Sequence, residues 1–98
     1  MSVQSPPPSI QIELPAALQA LAENQDRVAA AGDTVGAALA DLGRLHPLLL
    51  SRILTRGGKL RPHVNLFVNE RDVRSEDGLE TPLRPGDTVL VVPSVAGG

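Results

Sequence analysis

The most informative part of the sequence for the fold reads Pro-Gly-Asp-Thr-Val-Leu-Val-Val-Pro over residues 85–93. Its first three residues predict a turn, because Gly86 tolerates a positive φ angle. The run Thr88–Val92 is rich in β-branched side chains and predicts a compact strand, whose pairing Pro93 is expected to stop. One strand is not stable alone, so earlier parts of the sequence have to supply its partners.

Two earlier segments alternate apolar and polar residues, as half-buried strands do. The first, Ser9–Leu14, places its isoleucines and leucine on one face, and Pro15 ends it. The second, His63–Asn69, places its valines and leucine on one face and Phe67 on the other. After a turn that begins at Asn69, a further short strand is predicted at Arg71–Val73.

The clearest helix is predicted over Asp33–Leu45. Asp33 or Thr34 supplies an oxygen to cap the first turn. The apolar residues that follow recur at the spacing of a single helical stripe. We expect Gly43 and Pro47 to bracket the end of this helix.

Three segments are less sharply patterned. Residues 16–25 fit a helical turn or a loop, and Asp26–Ala31 fits either a short helix or the return strand of a hairpin. A second helical turn is expected within Leu48–Leu54. The order of elements predicts an α+β, β-grasp (ubiquitin-like) fold: a mixed sheet of about five strands with one main helix across it, and the first and last strands side by side in the middle.

The domain organisation follows from the same reading of a chain of 98 residues. Residues 1–8 are expected to be a Pro-rich disordered leader, residues 9–93 the β-grasp domain, and residues 94–98 a flexible C-terminal tail. We expect a cytoplasmic protein, since there is neither an apolar window long enough to cross a membrane nor a secretory signal.

Composition excludes several kinds of function. With one Phe, no Tyr and no Trp, the chain lacks a platform on which bases could stack, and a net charge of −2 gives no basic excess for phosphates. Nucleic acid is therefore not an expected partner. The absence of cysteine removes thiolate nucleophiles and thiolate metal sites, and His46 and His63 alone are a thin basis for a metal site.

The chain ends in Gly97 and Gly98, which carry no Cβ. Such an end can enter a channel too narrow for any side chain, with Val95 and Ala96 threading behind it. A carboxylate is a poor electrophile, so chemistry at Gly98 requires prior activation, for which adenylation by ATP is the usual means. Without a thiol in the chain, sulfur carried covalently would have to sit at this terminus.

Residues 85–98 resemble the C-terminus of the ThiS/MoaD sulfur-carrier family of ubiquitin-like proteins. Within that family the resemblance is closest to the CysO-type carriers, and it rests on residues 32–37, 64–74 and 95–98. It implies that the protein is not an enzyme. Instead, an E1-like enzyme of the MoeB/MoeZ type adenylates Gly98 with ATP, and the carboxylate becomes a thiocarboxylate. No stably bound cofactor is implied.

The resemblance also implies a set of further partners. The thiocarboxylate donates sulfur to an acceptor enzyme, either a PLP-dependent cysteine synthase or an enzyme resembling a thiazole or thiosugar synthase, in cysteine biosynthesis or secondary-metabolite sulfur insertion. A metal-dependent peptidase would then release the product. The alternatives are a MoaD-like small subunit of molybdopterin synthase and a protein modifier conjugated through Gly98, although Lys59 is the only lysine for chain building.

A docking surface is predicted on the open face of the sheet, because two glycines offer a partner no side chains to recognise. Phe67 is its proposed anchor, with Leu90 and Val92 beside it. We place Arg61 and Arg71 at its rim. Two interpretations stand for these arginines and for Arg74: pairing with an acidic partner surface, or solvation, which is the default for each. The competing interpretation puts Phe67 in the core.

Overall fold

A computed structural model of the protein describes residues 7–93. The helices and strands in this range are, in chain order, β1 Ser9–Glu13, α1 Ala16–Gln19, β2 Arg27–Ala31, α2 Val35–Leu45, α3 Pro47–Ile53, β3 Val64–Val68, β4 Arg71–Asp72 and β5 Thr88–Pro93. Short 3-10 turns lie at Ala20–Ala22, Val73–Ser75 and Gly78–Glu80. None of the helices in residues 7–93 is long and apolar enough to span a bilayer.

The strands form one mixed sheet in the order β2-β1-β5-β3-β4. β1 and β5 run parallel, with Ile12 opposite Val89, and the other neighbouring pairs are antiparallel. The first and last strands are therefore neighbours and β5 occupies the centre. This arrangement confirms the predicted β-grasp fold.

Strand alternation sends one set of side chains into the core. β3 shows the pattern most clearly, because Val64, Leu66 and Val68 are buried while Asn65 and Phe67 between them are only half-buried. The buried side chains of the sheet pack with those of the helices into a single cluster, which includes Ile10, Ile12, Val35, Leu39, Leu42, Leu49, Ile53, Leu66, Val89 and Val91. The opposite face of the sheet remains open.

Helix α2 begins as predicted and ends differently. The Thr34 hydroxyl oxygen accepts a hydrogen bond from the Ala37 backbone N–H at 3.1 Å, so Thr34 is the cap. Gly43 does not terminate the helix but lies inside it, and a Cβ there would collide with the Leu50 side chain. The glycine allows α3 to approach α2 closely, and Pro47 serves as the first residue of α3.

The segments with open interpretations also have definite structures. Within residues 26–31, Arg27–Ala31 form the return strand β2, paired antiparallel with β1, and residues 47–53 form a complete helix rather than one turn. Pairing of β5 does not stop before Pro93, because Pro93 is itself paired, opposite Val64. Most of the predicted leader lies outside the described residues, but the Pro8 carbonyl accepts a hydrogen bond from the Gly32 N–H at 3.0 Å.

Candidate functional site

The central strand β5 leads directly to the C-terminal segment. Val95, Ala96, Gly97 and Gly98, which we predict to thread into a partner and carry sulfur, lie outside the described residues. Their starting point is well defined, since Pro93 pairs with Val64, the first residue of β3. The chain passes this point at the end of the sheet where β3 begins.

The structure brings together the three apolar residues predicted to dock a partner. Phe67 lies directly opposite Leu90 in the pairing of β3 with β5, and Val92 is two residues along the same face. Leu90 is 37% exposed, whereas Phe67 and Val92 are half-buried. Cross-strand neighbours of this kind have Cα atoms roughly 5.5 Å apart, so their side chains touch. We call Phe67, Leu90 and Val92 the apolar strip.

A groove lies on the β1 side of the apolar strip. β1 pairs with β5 as far as Glu13, which lies opposite Leu90, and the chain turns away from the sheet at Pro15. Leu90, Val92 and Pro93 line the resulting groove together with Glu13, whose carboxylate forms an ion pair with Arg27 at 2.9 Å. The strip is therefore bounded on this side by polar groups, as interface anchors commonly are.

The two arginines predicted at the rim lie elsewhere. Arg71 is opposite Val68, a residue buried in the core, so register places its side chain on the other face of the sheet from Phe67. There it forms an exposed ion pair with Glu76 at 3.7 Å. The Arg61 Nε donates to the carbonyl oxygen of Ser51 at 2.9 Å, which ties the segment before β3 to helix α3.

Arg74 takes the position by the strip that sequence reasoning assigned to the other arginines. Its Nη1 donates to the Asn65 Oδ1 at 2.8 Å and its Nη2 to the Arg61 carbonyl oxygen at 2.9 Å. Asn65 is opposite Val92, so the guanidinium is held beside the end of β5. The sequence holds no signal for this contact, because the chain must first turn through β4 to bring Arg74 back to Asn65.

The described residues contain no group of three or more His, Cys, Asp or Glu side chains that could hold a metal ion. His63 is exposed immediately before β3, and His46 lies between α2 and α3. What residues 7–93 do offer is the partly exposed apolar strip next to the start of the C-terminal segment.

Comparison with known proteins shows the family to which the chain belongs. The sequence model of the ThiS family matches residues 12–98, a range that includes the terminal glycines. The sulfur carrier protein CysO of Mycobacterium tuberculosis is 37% identical over 92 residues, which cover 92% of this chain and 99% of that protein. A putative sulfur carrier protein of Archaeoglobus fulgidus is 40% identical over 90 residues, with the same two coverages.

Solved structures share the fold over nearly their whole length. A chain in the crystal structure of the Amycolatopsis orientalis BexX/CysO complex superposes with a TM-score of 0.84 at 34% identity, covering 91% of this chain and 99% of that one. The small archaeal modifier protein 1 of Methanosarcina acetivorans superposes with a TM-score of 0.82 at 27% identity, covering 93% and 97%. These neighbours are ubiquitin-like β-grasp proteins, and the chain belongs to the ThiS family of sulfur carriers.

Proposed function

We propose that this protein carries sulfur as a thiocarboxylate at Gly98 and donates it to an acceptor enzyme. The observation that carries the proposal is the family match, which extends through Gly98 in a chain without cysteine. The relatives named sulfur carriers support it, since the chain covers them almost completely. On this proposal the protein is a co-substrate, and catalysis belongs to its partners.

The chemistry at Gly98 has two steps. An E1-like enzyme of the MoeB/MoeZ type joins a carboxylate oxygen to the α-phosphate of ATP and releases pyrophosphate. Hydrosulfide then adds to the activated carbonyl, AMP leaves with one of the original carboxyl oxygens, and the new C–S bond makes the product a thiocarboxylate. The reaction uses ATP, and we place it in the cytoplasm.

The apolar strip supplies the recognition that the glycines cannot. Phe67, Leu90 and Val92 lie on the open face, next to where the C-terminal segment begins. Partners that act on Gly98 have to approach this end of the sheet, and an apolar anchor bounded by polar groups is a usual form of binding hot spot. We therefore propose that the E1-like enzyme and the acceptor both contact the strip.

The acceptor is proposed by likeness to the CysO proteins. A PLP-dependent cysteine synthase would take sulfur for cysteine biosynthesis, with a metal-dependent peptidase releasing the product. The neighbour that was solved in a complex with BexX supports the proposal that carriers of this shape bind a second protein. The other acceptor that we propose is an enzyme resembling a thiazole or thiosugar synthase.

A second candidate function is conjugation to proteins. It is favoured by the structural likeness to the small archaeal modifier protein 1. The same activated Gly98 carbonyl would then be attacked by a lysine amine of a target and not by sulfur. The two functions therefore differ in the nucleophile and in the mass of the product.

Intact mass spectrometry tests the proposal. The protein is incubated with an E1-like enzyme, ATP and a sulfur source, and we expect a gain of about 16 Da as sulfur replaces oxygen. The gain should map to the C-terminal peptide and should be absent when Gly98 is deleted. A gain at another position, or none with a competent enzyme, would refute sulfur transport. Adducts joined to lysines of other proteins would indicate conjugation instead.

A further inference from the structure

Charge is unevenly distributed along this chain, although its net value is small. Residues 42–69 contain five of the nine Lys and Arg residues and none of the eleven Asp and Glu residues. The remaining stretches carry all the carboxylates. A net charge of −2 therefore conceals a basic segment that runs from the end of α2 to the end of β3.

The fold gathers these cations at one end of the molecule. Arg52 and Arg61 line one cavity together with His63. Arg61 also lines a second cavity, to which Arg56 contributes. Arg74 joins them from outside the basic segment, since its guanidinium donates to the Arg61 carbonyl at 2.9 Å. We call Arg52, Arg56, Arg61 and Arg74 the basic pole.

Two members of the basic pole, Arg61 and Arg74, lie close to Pro93, the last residue that the structure describes. Val64 pairs with Pro93, and residues 61–63 immediately precede Val64. Because β3 and β5 are antiparallel, the end of β5 lies beside the start of β3, and Arg61 precedes that start by three residues. Arg74 lies on the open face at the same end of the sheet. Its guanidinium donates a hydrogen bond to Asn65, which lies opposite Val92.

The positive charge of the pole is not neutralised within residues 7–93. The ion pairs in this range involve Arg27, Arg44 and Arg71, all outside the pole. The hydrogen bonds of the Arg61 and Arg74 side chains go to uncharged oxygen atoms. Arg52 and Arg56 are exposed. The basic pole thus groups four positively charged side chains on a protein whose other charged residues are mostly acidic.

We propose that the basic pole docks against a carboxylate-rich rim around the channel through which a partner enzyme receives the C-terminal segment. This inference rests on the proposed function, because a partner acting on Gly98 must bring its channel mouth to the end of β5. Opposite charges at such a mouth accelerate encounter and orient the carrier before the segment enters.

Acidic protein surface fits the pole better than nucleic acid does. Leu48, which is 68% exposed, and Leu21 line the same cavity as Arg52 and Arg61. Arginine is enriched at protein interfaces, and the exposed leucine beside it adds apolar contact area. Phe67, the one Phe, Tyr or Trp of the chain, lies on the open face and not among these residues, so the pole offers no Phe, Tyr or Trp ring on which a base could stack.

The test compares two single charge reversals of equal size. Arg52→Glu alters the pole, and Arg84→Glu alters an exposed arginine before β5, at the opposite end of that strand. Thiocarboxylate formation by the E1-like enzyme is measured for each variant across carrier concentrations and salt. We expect Arg52→Glu to lower kcat/KM about 5-fold or more, with kcat unchanged. The loss should disappear near 1 M salt, where the screening length is only ~3 Å.

Each outcome bears on the inference. Equal kcat/KM for Arg52→Glu and Arg84→Glu, with wild type fully active, would overturn the basic pole and leave the proposed function intact. Failure of the wild type itself would overturn both. Melting temperatures of the two variants identify a folding defect, in which case Arg56→Glu replaces Arg52→Glu. Tight binding of a fluorescent DNA duplex that Arg52→Glu abolishes, with kcat/KM unaffected, would assign the pole to nucleic acid.

Discussion

At the scale of single residues, a substitution of Phe67 can show whether this side chain docks a partner or packs in the core. The chain has no other aromatic residue, and Phe67 is half-buried on the open face opposite Leu90. Phe67→Ala removes the largest side chain of the apolar strip. We expect binding to the E1-like enzyme to weaken ~30-fold, the equivalent of a hot spot of about 2 kcal/mol. Isothermal titration or surface plasmon resonance measures the affinity.

The stability of the same variant completes the test. Loss of one cross-strand pair costs roughly 0.2–1 kcal/mol, whereas deleting a core Phe costs ~3–5 kcal/mol. Gln11→Ala, on the exposed part of the same face in β1, is the matched control and should change neither quantity. A large fall in melting temperature with affinity intact in the folded fraction would place Phe67 in the core and remove it from docking.

At the scale of secondary-structure elements, Asp41 joins helix α2 to strand β2. Its Oδ2 accepts a hydrogen bond from the backbone N–H of Ala31 at 2.8 Å, and its Oδ1 accepts from Arg44 at 2.6 Å. The Ala31 N–H first, and Arg44 second, hold the pKa of the Asp41 carboxyl below its ordinary value of 3.8. Folding thus favours the ionised form, so this stabilisation is present above pH 3.8 and is lost as pH falls through the lower, folded-state pKa.

Asp41→Asn should therefore melt at a lower temperature than wild type near neutral pH, because the amide cannot provide the charge that both donors favour. The gap should close in acid, where the wild-type carboxyl is protonated too. Asp77→Asn is the control, since the Asp77 side chain makes no capping hydrogen bond. Thermal melts followed by circular dichroism across pH measure the gap, and one that persisted undiminished in acid would contradict the assigned role.

At the scale of the whole molecule, folding and sulfur transfer are expected to be separable. The core residues that the structure describes run from Ile10 to Val91, and we expect the C-terminal segment to add none to them. Gly97→Ala adds a Cβ and restricts φ. We expect an unchanged melting temperature and adenylation at least ~10-fold slower, a barrier increase of about 1.4 kcal/mol. Pyrophosphate exchange measures the rate, with Ser94→Ala as the control, and a fall of many degrees in melting would show that Gly97 packs against the fold.

Much of the architecture was predictable because it depends on local chemistry. Strict alternation in Ser9–Leu14 and His63–Asn69 determined which face of each strand is buried, since a strand repeats every two residues. The cap at Thr34 and the turn at Gly86, whose φ is 86°, follow from the requirements of single positions. The position of the apolar strip on the open face was predictable for the same reason. Phe67, Leu90 and Val92 alternate with the buried residues of their strands, so they point away from the core. The terminal glycines suggested activation of the Gly98 carboxylate, and this inference did not depend on the fold.

Other features depend on contacts between distant parts of the chain. Residues 26–31 became a strand because β1 offers an edge for pairing, which a weak local pattern cannot reveal. Gly43 is required by the approach of Leu50 from the next helix and not by a helix end. The arginines show the limit most clearly: register turned Arg71 away from the open face, and the hydrogen bonds to Asn65 and Arg61 brought Arg74 to it. Sequence determined which residues could face a partner, and tertiary structure alone decided which charges stand beside them, because long side chains are positioned by atoms that only folding brings close.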